Sequence, residues 1–227
     1  MKLIFEKQVL HYSLLVILLA AIFIISQVKG FLVGQFLYIG TPVWFYLAIA
    51  VAILHQVYVW FCWRTQLHFS LITKRYGQKG FLYYSIGFAI LFILRFVLVV
   101  GLAISNMNTL NANQLLLNIL ALLVTIPAFY LFYSVIKYFT IKRALGIDHF
   151  DLSYGKKPFV REGIFKFTSN GMYIFGLLIF WIPGLLSSSQ AALLVALFNH
   201  IYIWVHYYTT ERPDIRRIYG LLNSNRH

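Results

Sequence analysis

Acidic side chains are nearly missing from this chain. Six of 227 residues are Asp or Glu, and charged residues of both signs make up 11% of the sequence. A soluble domain carries about 25% charged residues, so a water-facing surface cannot be built here. Cysteine is scarcer still. Cys62 stands alone, which excludes a disulfide framework or a four-cysteine zinc site within one chain. No internal repeat or low-complexity segment stands out. What the chain has instead is apolar bulk, at 61% of residues, and a net charge of +13. Disorder is excluded by the same composition, and an integral membrane protein is indicated.

A bilayer-crossing helix needs about 20 mostly apolar residues. Six stretches meet or approach this, at roughly 9–27, 42–63, 81–104, 115–139, 172–186 and 190–208. The expected fold is therefore an all-α polytopic bundle of about six spans. The last two form a helical hairpin, and a cytoplasmic C-terminal segment follows. The fifth stretch is short and contains Pro183-Gly184, so a bend is expected there. The first stretch follows Lys2 and Lys7 like a signal peptide, but its apolar run is long and no small-x-small site follows, so it reads as a retained helix.

Basic residues fall on alternate loops. Seventeen of the nineteen Lys and Arg lie in the N-terminus, 64–80, 137–171 and the tail. This places both termini on the cytoplasmic side and accounts for the positive charge without nucleic acid. All six acids, Glu6, Asp148, Asp151, Glu162, Glu211 and Asp214, share that side. Acid-dependent chemistry is expected there, close to the long polar segment 140–171.

Two segments carry more than span information. One runs Gly163-Ile-Phe-Lys-Phe-Thr-Ser-Asn170-Gly171-Met172-Tyr173-Ile-Phe-Gly176. The other runs Tyr207-Tyr-Thr-Thr-Glu211-Arg212-Pro213-Asp-Ile-Arg-Arg-Ile218-Tyr219-Gly220. Together, over about 60 residues, they resemble the C-terminal half of the membrane methyltransferases that include phosphatidylethanolamine N-methyltransferase and isoprenylcysteine carboxyl methyltransferase. Asn170-Gly171-Met172-Tyr173 falls on that family's Asn-Pro-Met-Tyr, Glu211-Arg212-Pro213 on Glu-Glu-Pro, and Ile218-Tyr219 on the Ile-Tyr that follows. Two positions depart. Gly171 replaces the proline, and Arg212 replaces the second glutamate, so the family's pair of acids is reduced to Glu211.

The resemblance implies a methyl transfer from S-adenosylmethionine to a lipid or lipophilic acceptor, most readily a phospholipid amine. An isoprenylcysteine-type carboxylate is the alternative, as is a non-catalytic lipid-binding or assembly protein on the same scaffold. A small transporter is disfavoured by the absence of an inverted repeat. The resemblance further implies a four-span part, 1–139, and a methyltransferase-like part, 140–227, within a single membrane domain. Cofactor contacts are expected from Asn170, Gly171, Met172, Tyr173, Gly176, Tyr207, Glu211 and Arg212. Asn170 is a good N-cap residue for the fifth helix. Ordinary helix packing is the competing reading of Met172 and Tyr173.

Direct displacement at a sulfonium methyl demands alignment and exclusion of water. A lipid amine must also lose a proton, for which Glu211 and His206 are the candidate catalytic residues. At about 100° per residue, His200, Trp204, Tyr207 and Glu211 share one face of the last span. Asn199, Ile203, His206 and Thr210 share the adjacent one. His206 satisfied by a nearby carbonyl or tyrosine is the competing reading. His200 and His206 point to opposite faces, so no metal is expected. Arg95, alone in mid-span, either meets a lipid phosphate as a substrate contact or pairs inside the bundle, with His55-Gln56 as its packing partner.

Overall fold

The computed structural model describes residues 3–224. Helix α1 spans Gln8–Ser26 and is followed by a two-strand hairpin, β1 (Gln35–Phe36) and β2 (Ile39–Gly40). Leu37 and Tyr38 both take positive φ between the strands, as a tight two-residue hairpin requires. Helix α2 (Thr41–Phe69) has Pro42 in its first turn, where the missing N–H costs nothing. It ends at Ser70, and α3 (Leu71–Tyr76) leads to α4 (Gly80–Ser105). Helix α5 (Gln114–Ser134) runs on through a π turn, Val135–Phe139, to the short α6 (Ile141–Ala144). The segment 147–170 is built from short 3-10 turns and loop. Then come α7 (Gly171–Phe175), a 3-10 stretch Gly176–Phe180, and α8 (Trp181–Leu186). Helix α9 (Gln190–His206) passes through a second π turn, Tyr207–Glu211, into α10 (Arg212–Ser224).

Among the described residues, five helical stretches are long and apolar enough to cross a membrane: Gln8–Ser26, Thr41–Phe69, Leu71–Ser105, Gln114–Phe139 and Gln190–Gly220. The expected fifth span is instead a shorter, broken run, Gly171–Leu186. Its turns tighten to 3-10 geometry between α7 and α8, and Pro183 cannot supply a helical N–H. It still folds back on α9, where Gly184 meets Leu193. The last span also exceeds expectation, because the helix does not stop near 208 but continues through the π turn.

The core gathers α1, α2, α4 and α9. Ala48 and Ala52 of α2 and Ala191, Ala192 and Ala196 of α9 are buried, and such small side chains let helices approach closely. Large apolar residues face outward instead, among them Val9, Val16, Ile17 and Ile24 on α1 and Leu115, Leu122 and Ile126 on α5. Meanwhile His11, His55, Arg64, Arg95, Asn199 and His206 are buried. Polar groups inside and hydrocarbon outside is the arrangement of a bundle solvated by lipid.

Candidate active site

The π turn at Tyr207–Glu211 organises one end of the bundle. A π turn shifts the helical register and leaves carbonyls poorly served, and such turns gather at functional sites. Pro213 compounds this, since it cannot donate back to Thr209. The structure supplies a substitute donor. Arg64 of α2, fully buried, donates through Nη2 to the carbonyls of Thr209 (3.4 Å) and Thr210 (3.2 Å), and through Nε to Asp214 Oδ2 (2.8 Å). Helix α1 holds the same turn from the other side. Gln8 donates to Thr210 Oγ1 at 3.3 Å, and His11 Nδ1 lies 3.0 Å from Thr209 Oγ1.

This fixes the face carrying Trp204, Tyr207 and Glu211. Tyr173, buried on α7, lies against it, with ring centroids 4.6 Å from Tyr207 and 5.6 Å from Trp204. Its hydroxyl neighbours the half-buried Glu211 carboxylate. The two short motifs, 38 residues apart in sequence between Tyr173 and Glu211, therefore meet in space.

A third segment joins them. Gly146 has φ +77, and a Cβ there would come within 2.5 Å of the Trp63 ring. Glycine thus lets the chain pass tightly beneath Trp63. Three residues on, His149 stacks on the Trp63 indole with centroids 4.3 Å apart. Its Nδ1 lies 3.1 Å from Asp148 Oδ1 and its Nε2 3.6 Å from Asp214 Oδ2. The Tyr219 hydroxyl donates to Asp148 Oδ2 at 3.3 Å. Burial draws the His149 imidazole toward neutrality, but the bonds and charges of Asp148 and Asp214 outweigh it and raise its pKa to about 9. Burial pushes Asp148 up, yet His149 and Tyr219 hold its carboxyl below the usual range.

Among the described residues, seven buried side-chain polar atoms make no hydrogen bond. Six belong to this end of the bundle: Trp63 Nε1, the Tyr84 hydroxyl and both His206 nitrogens, with His149 Nε2 and Asp214 Oδ1, which keep ion-pair neighbours at 3.6 and 3.8 Å. Buried polar groups are ordinarily paired, so a cluster of orphans calls for a polar occupant. Hydroxyl, amino and carboxylate groups of a nucleoside-amino acid conjugate match this mixture of donors and acceptors. The aromatic walls of Tyr173, Trp204 and Tyr207 suit a purine or a sulfonium cation. No group of three or more metal-ligating side chains is gathered among the described residues.

The remaining expected site residues separate into several positions. Asn170 stands at the α7 N-cap, but its side chain makes no capping bond. Its carbonyl instead accepts from the amides of Tyr173 and Ile174. Gly171 lies against Ile164 and Phe165, Met172 joins that apolar cluster, and Gly176 meets Leu131 of α5. All three sit in helix packing. Arg212 is exposed and turned toward Tyr208, with its guanidinium 5.6 Å from that ring. His206 is buried beside Trp63 and His11, its nitrogens unpaired, so no carbonyl or tyrosine satisfies it. His200 accepts from Trp181 Nε1 at 3.2 Å. Arg95 lies inside the bundle, where it donates to Asn199 and approaches His55 Nδ1 (3.2 Å) and the Phe180 ring (5.1 Å).

Sequence reasoning missed Trp63, Arg64, Tyr84 and the pairing of Asp148-His149 with Asp214. The one available signal was the gathering of acids at this end. With Arg212 turned toward Tyr208, Asp148 is the carboxylate that accompanies Glu211 and Asp214 here.

A family model described as phospholipid methyltransferase matches residues 116–221. The match begins in α5 and takes in both motifs, the 140–171 segment and the π turn. The resemblance to membrane phospholipid methyltransferases thus extends over the C-terminal part of the chain. Comparisons with curated proteins and with solved structures gave no match.

Proposed function

We propose that the protein transfers a methyl group from S-adenosylmethionine to a lipid or lipophilic acceptor, with a phospholipid amine as the first choice. One observation carries the reading: Tyr173 and Glu211, from separate motifs, meet beside a cluster of unpartnered buried polar atoms. The family match over 116–221 supports it. When bound, the cofactor supplies an electrophilic methyl on a sulfonium centre. The Glu211 carboxylate accepts hydrogen bonds from its hydroxyl or amino groups. Tyr173, Trp204 and Tyr207 give an aromatic wall that favours the cation and excludes water. The Trp63 indole and Tyr84 hydroxyl provide further donors. His206, unpaired and buried, is positioned to take the proton an amine acceptor must release. The site faces the cytoplasm, as the basic loops indicate.

The test combines binding and transfer. Purified protein in phosphatidylethanolamine-containing nanodiscs is titrated with S-adenosylmethionine and then supplied with a labelled-methyl form. Saturable binding and label in extracted lipid are expected, and Glu211→Gln should abolish both. Unchanged affinity in that variant would remove Glu211 from the site. Binding without label in any lipid would favour the non-catalytic reading, for which the replacement of the family's second glutamate by Arg212 speaks. Label in a prenylated cysteine methyl ester instead would move the acceptor to the carboxylate branch.

A further inference from the structure

A recess lies at the same end of the bundle, beside Tyr208 and Pro213. It has a volume of about 610 Å³ and is bordered by the N-terminal end of α1 and the first turns of α10, and neither Glu211 nor Tyr173 lines it. Four cations border it: Lys7, Arg212, Arg216 and Arg217. Its one acid, Glu6, is taken up by Arg217 at 2.9 Å and faces Arg64 at 3.7 Å. Among the described residues, no carboxylate lies within 4.0 Å of the charged groups of Lys7, Arg212 or Arg216. Three exposed cations thus converge on one recess without a counter-ion, and like charges so placed repel unless an anion joins them.

Apolar side chains complete the lining. Leu10 and Tyr208 are both about half exposed, and Leu10 continues into the outward apolar face of α1 through Val9, Val16 and Ile17. A recess that is cationic at one edge and runs onto a lipid-facing helix at the other matches a molecule with an anionic head and a hydrocarbon tail. We propose that this recess binds the phosphate head group of an anionic phospholipid, with its acyl chain along α1. The site is separate from the methyl-transfer reading and stands without it. Its phosphate oxygens would be shared by Lys7, Arg212 and Arg216, and lipid bound there would brace α1 against α10.

The test is lipid retention read by native mass spectrometry. The protein is extracted from phosphatidylcholine vesicles with phosphatidylglycerol as a minor component. Retained phosphatidylglycerol is expected above its share of the vesicle. A Lys7→Gln/Arg216→Gln double variant should lower that enrichment by about fivefold for each cation removed. A Lys74→Gln/Lys79→Gln control, exposed cations on the α3–α4 connection that packs against α2 and α4, should leave it unchanged. Equal loss in the control would reduce the effect to general surface charge and overturn the site. Displacement of phosphatidylglycerol by inorganic phosphate would overturn the lipid assignment in favour of a soluble phosphate. Should the double variant fail to fold, Arg216→Gln alone, exposed and outside the Arg64 network, carries the same test.

Discussion

Arg64 is the residue whose removal should be felt most. It is fully buried, pairs with the equally buried Asp214 at 2.8 Å, and caps the carbonyls of Thr209, Thr210 and Leu3. Arg64→Met keeps much of the side-chain volume but leaves the Asp214 carboxylate without its closest cation. Breaking a buried ion pair from one side costs about 3–5 kcal/mol, and orphaned carbonyls add about 1–3 kcal/mol. For a chain of this size 1 kcal/mol shifts the melting temperature by roughly 2–4 °C, so a fall of roughly 10 °C or more is expected in nanodiscs. The double variant Arg64→Met/Asp214→Leu separates the two contributions. It removes the stranded charge but not the uncapped carbonyls, so it should melt above Arg64→Met and below the parent. Thermal unfolding followed by tryptophan emission reads this directly, since Trp63 adjoins the network through His149. If the single variant melts with the parent, or the double variant falls by the sum of the two single losses, the pair does not stabilise the turn as argued.

Three further outcomes follow from the same geometry. His149 has its pKa raised to about 9 by its carboxylate neighbours, so its stabilising contribution is whole below the ordinary value of 6.5 and is lost as pH rises through about 9; melting temperature measured across that window should decline, and His149→Gln should flatten the decline. Gly146→Ala places a methyl against Trp63 at a left-handed φ and should cost about 1–3 kcal/mol, with weaker S-adenosylmethionine binding by calorimetry because the His149 segment must shift; full affinity would detach that segment from the site. Arg95→Met should lower stability through the loss of its Asn199 bonds while leaving the acceptor KM unchanged; a raised KM with the melting temperature intact would place Arg95 at the substrate instead.

Much of this architecture was legible because lipid imposes coarse rules. Apolar length gave the helices α1, α2, α4, α5 and α9, and the starts of these helices lie beside the expected ones, while α2 runs on to Phe69. What escaped was local. The run from Gly171 to Leu186 looks like a span by composition, yet tight turns and Pro183 shorten it. The helix through Glu211 was expected to end near 208, where the apolar run stops. It continues because a guanidinium 145 residues away along the chain from Thr209 takes the carbonyls that proline strands. No periodicity can report such a long-range donor. The site divides in the same way. Tyr173, Tyr207 and Glu211 carry motif information and meet as expected. Gly171, Met172 and Gly176 carry it too but lie in helix packing, because a short helix beside α5 needs small or flexible residues at its contact. Trp63, Tyr84 and His149 have no motif of their own in this sequence and become visible only through unpaired atoms.

The distribution of acids explains why the polar end is built as it is. Four of the six, Glu6, Asp148, Glu211 and Asp214, converge within one ion network or its immediate surroundings. Three of these have a cation or imidazole within 4 Å: Glu6 with Arg217, Asp148 with His149, and Asp214 with Arg64. Glu211 is the exception, with no salt-bridge partner among the described residues and a tyrosine hydroxyl as its neighbour. A chain with this few carboxylates, placed at a lipid boundary, gains nothing in stability from leaving one uncompensated beside aromatic rings. Pairing the other three holds the turn in place and leaves Glu211 outside the ion network. Replacing Glu211 by Gln should therefore leave the melting temperature of the unliganded protein unchanged or raised, while the paired Asp214→Asn lowers it. The opposite order would mean that Glu211 serves the fold and not a bound molecule.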